Sequence, residues 1–307
     1  MRAFTSDTFV LPLPPTHRFP MAKYRRLRER VEAELPKVEL VGASPVSQAQ
    51  LARVHDADYL ERVLTQTLTD REVRVIGFPQ SPALPYRERH SSGGTLDAAR
   101  AALEDGVAVN LAGGTHHASP GQGQGFCLFN DAAVAIRALQ NEGKISQALV
   151  VDLDVHQGNG TANCLQGDAT AFTLSVHSEK NFPFKKARSD LDVPLADNLG
   201  DDDYLLAVDD ALAQSFDRIA PDLVIYNAGV DVFEGDKLGR LAVSGPGVTL
   251  RDRRVFEACH ARGVPVAVTM GGGYAPDVEV IVDLHLATIR EASRWTWGVR
   301  WSGTARG

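Results

Sequence analysis

The sequence predicts an α/β fold in which a mostly parallel central β-sheet carries helices on both faces, as a single domain over residues 1–307. Short apolar runs rich in β-branched residues alternate along the chain with Ala- and Leu-rich stretches of helical spacing. Polar residues follow the end of each run, where ligands bind in open parallel sheets. With 44% hydrophobic and 23% charged residues, the chain can bury one large core.

The apolar runs are the predicted strands, because each is too short for a typical helix. They are residues 107–111, 148–155, 171–176, 223–226 and 264–270. The stretches with helical spacing are 21–34, 94–104, 132–141, 203–219 and 250–262. The segment 77–86 contains prolines and is predicted to be a loop. The tail 295–307, which holds the three tryptophans, is left unassigned.

Charge and cysteine content exclude several classes of function. The formal charge is −7, from 32 basic and 39 acidic residues, so we expect no direct nucleic-acid binding. Three scattered cysteines without CxxC spacing argue against a disulfide framework or a thiolate zinc site. No export signal or long apolar span is found, which predicts a cytoplasmic protein without membrane contact. The oligomeric state cannot be read from the sequence.

The run VDLDVH has the spacing of metal ligands. In an extended strand Asp152, Asp154 and His156 would project to one side. Carboxylates and imidazoles suit zinc, and a catalytic zinc needs three protein ligands and an open position. Asp231, in YNAGVD after a predicted strand, supplies the third ligand. The alternatives are a solvated polar strand end and, for Asp231, a helix cap or turn.

Three further side chains predict amide hydrolysis. His116 and His117 follow a glycine-rich turn and could transfer protons near neutral pH, although such a pair can equally lie in a surface turn. Tyr274 follows three glycines and could donate to a developing oxyanion, or pack on the sheet edge. The run PGQGQGF lacks the features of a nucleotide loop.

Five segments, taken in order, resemble the histone-deacetylase branch of the arginase/deacetylase superfamily over residues 53–289. They are GGTHHASPGQGQGFCLFND, VDLDVHQGNGT, TLSVHS, YNAGVDVFEGDKLGRL and MGGGY. HQGNG and GFPQSPAL…SSGGT are similar to class IV members and their bacterial relatives. The resemblance implies the arginase/deacetylase fold and a zinc-dependent hydrolase that removes an acyl group from lysine.

The resemblance also implies residue roles. It implies that Asp154, His156 and Asp231 bind zinc. It also implies that His116 and His117 are the catalytic pair and that Tyr274 stabilises the oxyanion. Asp152 would orient the His116 ring without binding the zinc. A further group would bind the substrate by lining an acyl-lysine tunnel and its mouth: Gly125, Phe126, Phe182, Leu238 and Gly272.

A monovalent cation, K⁺ or Na⁺, is implied near the zinc. Its ligands would be Asp152, the hydroxyl of Ser175, and the backbone carbonyls of Val176, Asp154 and His156. A second such site is implied around Leu165, Asp168 and Ala171.

Two residues depart from the class I pattern of this family. Gln157 stands where class I members have a histidine, and Asn159 stands where they have an aspartate beside the second active-site histidine. An amide can orient the His117 ring but cannot stabilise its charged form as a carboxylate does. We therefore predict a lower pKa for His117 than for a carboxylate-paired histidine.

Several functions remain open at this stage. A ureohydrolase with two manganese ions needs more acids than this chain has, because Gly158 and Phe233 stand where a binuclear site has carboxylates. The substrate could be an acyl-lysine peptide or protein, an acetylpolyamine or another small amide. A different class of function is a metal-stabilised binding module without catalysis.

Overall fold

The computed structural model describes residues 1–14 and 16–297, in which eight strands form one sheet. The strands are β1 (Arg2–Thr5), β2 (Glu39–Gly42), β3 (Val107–Asn110), β4 (Ala148–Asp152), β5 (Ala171–Ser178), β6 (Leu191–Leu195), β7 (Leu223–Asn227) and β8 (Val266–Thr269). Their order is β2-β1-β3-β8-β7-β4-β5-β6, and all neighbours are parallel. The predicted fold class is confirmed.

The five predicted strands are five consecutive strands of the sheet, β3-β8-β7-β4-β5. Helices cover both faces of these strands, so their sequences are continuous apolar runs. The strands that the sequence analysis missed are the edge strands β2 and β6, together with β1 beside β2. Both edge strands are largely unburied, and a strand with one face in solvent needs no such run.

Helices cover both faces of the sheet. One layer contains α1 (Ala22–Glu34), α8 (Asp201–Arg218), α9 (Gly245–His260) and α10 (Val278–Ala292). The other contains α2 (Gln48–Leu51), α3 (Ala57–Thr65), α4 (Asp70–Ile76), α5 (Ala83–Asp105), α6 (Asp131–Asn141) and α7 (Asn159–Leu165). None of the described helices is long and apolar enough to cross a membrane.

Two helices begin earlier than the sequence predicts. The expected loop 77–86 ends early, because α5 begins at Ala83 with Pro85 in its first turn, where a missing N–H costs nothing. Helix α9 begins before residue 250, because the Ser244 side chain caps it by accepting the N–H of Gly247. Of the tail, residues 298–307 lie outside the described residues.

Candidate active site

The candidate residues lie at the carboxyl ends of five adjacent strands. His116 and His117 follow β3, Tyr274 follows β8, and Asp231 follows β7. Asp154 and His156 follow β4, and Ser175 lies in β5. All of these except Ser175 line a cavity of about 710 Å³. The parallel sheet therefore brings together residues that are 158 positions apart at the extremes, from His116 to Tyr274 (274 − 116).

The ligand run does not follow the strand geometry that its spacing predicts. Strand β4 ends at Asp152, so Asp154 and His156 lie in the turn that follows. The Asp154 N–H donates to Asp152 Oδ1 at 3.2 Å, and the His156 N–H donates to Asp154 Oδ1 at 2.9 Å. Side-chain acceptors that fold the backbone back on itself, not strand alternation, bring these residues together.

Asp154, His156 and Asp231 form a compact group of donor atoms. The three ligand atoms all lie within 4.8 Å of one another. His156 Nδ1 is 2.9 Å from Asp154 Oδ1 and 3.1 Å from Asp231 Oδ2. The N–H of Val155 fixes the other Asp231 oxygen at 2.9 Å. Among the described residues this is the one group of three such side chains that could hold a metal.

The charge of this group favours a bound cation. Asp154 and Asp231 are 2% and 0% exposed. Burial and the neighbouring Asp154 carboxylate raise the pKa of Asp231, as expected for two like charges that lie close together. A cation would relieve that repulsion, and two carboxylates with one imidazole are a suitable donor set for zinc. The residues present therefore fit a zinc ion, which Asp154, His156 and Asp231 would hold.

Gly158 stands where a binuclear metal site would have a carboxylate. A Cβ at Gly158 would lie 2.2 Å from Asp152 Oδ2, so a ligand side chain at this position would displace the carboxylate that pairs with His116. The absence of a carboxylate at Gly158 is thus a steric requirement of this site, and it favours one metal ion over two.

His116 is paired with a carboxylate. Its Nδ1 lies 2.7 Å from Asp152 Oδ2, and the Asn227 amide holds the other Asp152 oxygen at 2.9 Å. Burial opposes the charged ring, but the carboxylates of Asp152 and Asp154 outweigh it and raise the pKa of His116 to about 9.

His117 is paired with an amide. Its Nδ1 lies 2.6 Å from Asn159 Oδ1, and the Asn159 amide N–H in turn donates to Gln124 Oε1 at 3.0 Å. This bond fixes the orientation of the amide, so Nδ1 carries the proton and Nε2 offers a lone pair. Burial and repulsion from His116 and His156 hold the pKa of His117 well below its usual value.

Tyr274 is positioned through its backbone. Its N–H donates to Asp236 Oδ2 at 2.6 Å, while Asp236 Oδ1 accepts the N–H groups of Leu238 and Gly239. Within the described part of the chain the Tyr274 hydroxyl has no hydrogen-bond partner, and it lines the cavity. Burial raises the pKa of this phenol well above its usual value, so the hydroxyl keeps its proton for donation.

The predicted tunnel residues all line the cavity: Gly125, Phe126, Phe182, Leu238 and Gly272. The Phe182 ring meets His117 edge-on at 5.0 Å between centroids. Gly125 has φ +54°, and a Cβ there would lie 2.7 Å from the His117 ring. This close approach requires a glycine, because a side chain would displace the histidine.

The residues of the first predicted cation site are neighbours. Asp152 and Ser175 are paired in register between β4 and β5, and Val176 follows Ser175. Ser175 Oγ lies 3.0 Å from His177 Nδ1. At the second predicted site the Asp168 carboxylate already accepts from Thr170 and pairs with Arg137, so its side chain is engaged by protein groups.

Sequence reasoning missed four residues around the site. Asn227 ends β7, so the strand-end rule could have found it. Gln124 lies in PGQGQGF, whose pattern indicates only a loop. Asp236 lies in the motif YNAGVDVFEGDKLGRL but was given no role, and it orients Tyr274. Lys23 gave no signal, yet this buried side chain donates to the carbonyl of Gly272.

Comparison with known proteins identifies the family. The profile described as "Histone deacetylase domain" matches residues 17–289. The chain belongs to the histone deacetylase family. An uncharacterized protein of Picosynechococcus sp. is 44% identical over 92% of this chain and 95% of its own length. Histone deacetylase 2 of Arabidopsis thaliana is 32% identical over 87% and 72%, and the histone deacetylase-like amidohydrolase of Pseudomonas aeruginosa is 30% identical over 88% and 77%.

Solved structures share the fold of this histone deacetylase family member. A histone deacetylase homolog from Aquifex aeolicus superposes with a TM-score of 0.80 at 24% identity, over 95% of this chain and 83% of that one. Acetylpolyamine aminohydrolase from Burkholderia pseudomallei superposes with a TM-score of 0.78 at 20% identity, over 96% and 99%. The family is one of hydrolases, and the relative from Pseudomonas aeruginosa is by name an amidohydrolase.

Proposed function

We propose that the protein removes an acyl group, acetyl or longer, from the side-chain amine of lysine in a zinc-dependent hydrolysis. The observation that carries this proposal is the convergence of Asp154, His156 and Asp231 on the same cavity as two histidines and a tyrosine. A binding module without catalysis would need the metal ligands alone. The proton-transfer groups beside them favour hydrolysis.

The metal site would be filled by one zinc ion, held by the two carboxylates and the imidazole. When bound, zinc supplies a Lewis acid for the amide carbonyl and lowers the pKa of a neighbouring water. Asp152 and Ser175, with backbone carbonyls around them, would hold a structural potassium or sodium ion beside the catalytic group.

The chain's own residues then divide the proton transfers. His117, neutral and with its Nε2 lone pair free, accepts the proton of the attacking water. His116, charged beside Asp152, stabilises negative charge that develops in the transition state. The Tyr274 hydroxyl donates to the carbonyl oxygen as it becomes an oxyanion. The protonated His117 passes its proton to the departing amine.

The test is hydrolysis of a panel of acyl-lysine peptides of increasing acyl length, with metal content measured on the same sample. We expect about one zinc per chain, release of the acid, and inhibition by a hydroxamate. Elemental analysis that finds two manganese ions would favour the ureohydrolase alternative. A loaded protein that cleaves no acyl-lysine peptide would overturn the proposal.

Acetylpolyamines are the competing substrate class, because an acetylpolyamine aminohydrolase has the same fold. The same panel therefore includes N-acetylspermidine. A kcat/KM for this amine above that of every peptide would transfer the proposal to small acylated amines.

A further inference from the structure

The outer end of the cavity is lined by cations. The exposed basic residues in its lining are Arg18, Arg74, Lys180, Lys237 and Arg240. They come from four separate parts of the chain: the β1–α1 connection, helix α4, the loop after β5 and the loop after β7. We call these five residues the cationic mouth. It stands out because the whole chain carries a net charge of −7.

Negative charge in the same lining is confined to buried side chains. Its carboxylates are Glu88, Asp154 and Asp231, which are 1%, 2% and 0% exposed. Glu88 is paired with the buried Arg87, and the other two are the proposed metal ligands. Within the described residues, no exposed carboxylate lines the cavity. A substrate segment outside the tunnel therefore meets positive charge.

Most of the cationic mouth is not neutralised by protein carboxylates. Asp197 lies 3.2 Å from Arg240 and 3.8 Å from Lys180. Over residues 1–14 and 16–297, the side chains of Arg18, Arg74 and Lys237 have no carboxylate within the 4.0 Å of an ion pair. Because salt screens charges beyond about 8–10 Å, these nearby cations outweigh the distant acidic surface for a substrate at the mouth.

An exposed aromatic ring lies beside these cations. Phe184 is 88% exposed, and its ring stands 6.3 Å from that of Phe182 in the tunnel wall. Lys186 donates to the carbonyls of Asn181 and Pro183 at 2.5 and 2.7 Å, which adds a cation behind the same turn. A substrate that extends beyond the acylated side chain would meet this ring beside the cations that line the same cavity.

We propose that the cationic mouth selects peptide segments in which the acyl-lysine is flanked by acidic residues. This inference rests on the proposed function and narrows its substrate class. The acylated lysine is neutral, so it can pass the mouth, and acidic neighbours then pair with Arg74, Lys237 and the other cations. After hydrolysis the lysine becomes a cation that the mouth repels, which favours its release.

The same charges disfavour polyamine substrates. An acetylpolyamine keeps its remaining ammonium groups outside the tunnel, where they would lie against the cationic mouth. The repulsion between these ammonium groups and the cations of the mouth would weaken binding, and no exposed carboxylate among the described lining residues offsets that repulsion.

The test uses three peptides of one length that carry the same acetyl-lysine, flanked on both sides by Glu, Gln or Lys. We expect the kcat/KM for the Glu peptide to exceed that for the Lys peptide about tenfold at low salt, with the ratio falling toward one at high salt. The double variant Arg74→Glu with Lys237→Glu should invert the preference. Binding of fluorescein-labelled versions, followed by anisotropy, gives the same comparison without hydrolysis.

The matched control is Lys144→Glu. This exposed lysine precedes β4, so it lies near the amino ends of the strands, opposite the mouth, and it changes the net charge as each mouth substitution does. It should leave the preference unchanged.

The outcomes separate this inference from the proposed function. Equal kcat/KM values for the three peptides, a preference for the Lys peptide or N-acetylspermidine, or a change of preference in Lys144→Glu would overturn the inference. Binding without hydrolysis would overturn the proposed function, while the Glu-over-Lys binding ratio would still decide the inference.

Discussion

Two buried clusters of charge lie side by side in this protein and differ in how their charge is balanced. In the first, Arg251 and Asp252 form an ion pair in which both side chains are fully buried. Asp252 also accepts the hydroxyls of Tyr226 and Thr288, both at 2.6 Å. In the second, Asp154 and Asp231 share one imidazole at the floor of the cavity. The first cluster has one cation for its one carboxylate, whereas the second sets two carboxylates against the one imidazole that they share.

The balanced cluster supports the unbalanced one. The Arg251 guanidinium donates to the carbonyls of Leu153 and Gly229, which lie next to Asp154 and just before Asp231 in the chain. The difference between the clusters shows how to recognise a site in a folded chain. A buried charge whose partners are all protein groups stabilises the fold, whereas buried carboxylates in excess, open to a cavity, indicate a bound cation.

The largest effect that tests this comparison is expected for Asp231→Asn. Loss of one ligand should remove zinc and lower kcat/KM roughly a thousandfold or more, since metal-ion catalysis supplies several kcal/mol. The metal-free protein should unfold at the same or a higher temperature, because a repelled carboxylate has been removed. Glu234→Gln, three residues away and exposed, is the control. If the metal-free Asp231→Asn protein unfolded at a markedly lower temperature than the metal-free wild type, Asp231 would be a residue that stabilises the fold.

The opposite result is expected for Asp252→Asn. It leaves the Arg251 charge buried without its partner, which costs about 3–5 kcal/mol in the free energy of unfolding. Urea unfolding measures this, and Thr288→Val, which removes one hydrogen bond to Asp252, should cost only about 1 kcal/mol. A stability close to that of the wild type in Asp252→Asn would mean that the two clusters do not differ as described.

A smaller effect on the rate is expected for Tyr274→Phe. The substitution removes a hydroxyl that has no partner among the described residues, so stability and zinc content should not change. The kcat should fall about 10²–10³-fold, as when one oxyanion donor is lost. Single-turnover hydrolysis of an acetyl-lysine peptide measures this, and an unchanged kcat would remove the proposed role of the hydroxyl.

Burial decides which strands could be predicted from the sequence. The adjacent strands β3, β8, β7, β4 and β5 are apolar because helices cover both their faces, and so their carboxyl ends mark the site. The edge strands β2 and β6 carry no such pattern and were missed.

In the candidate site, position in the chain likewise separates the residues that could be predicted from those that were missed. Side chains at strand ends, such as Asp154, His117 and Tyr274, could be proposed from sequence because their types fit a known chemistry. Of the residues that act through another residue, Asp152 and Asn159 were proposed only through the family resemblance, and Asp236 and Gln124 were given no role. Asp236 reaches the Tyr274 backbone from 38 positions away, and Gln124 contacts Asn159 from 35 positions away. Both residues lie within motifs that carry the family resemblance, but only the folded chain shows which residue each of them contacts.

The two histidines extend the comparison to proton transfer, because His116 has a carboxylate partner and His117 an amide. Asn159→Asp gives His117 a carboxylate, which should raise its pKa. Since His117 must be neutral to accept a proton, the acid limb of the kcat/KM profile should move to higher pH. Asn163→Asp, in the same helix but without contact to either histidine, is the control. An acid limb that stays in place would exclude His117 as the group that titrates there.

The smallest effect concerns the residue that orients this amide. Gln124→Leu removes the acceptor of the Asn159 N–H, so the amide is free to turn and present its NH₂ group to His117 Nδ1. In that orientation the His117 ring must carry its proton on Nε2, and this nitrogen then has no lone pair to accept a proton from water. Because the native orientation remains accessible, we expect kcat to fall only about three- to tenfold, the equivalent of one hydrogen bond. Gln124→Glu keeps the acceptor and should retain most of the rate, so equal losses in the two variants would show that Gln124 acts by packing and not by orienting the amide.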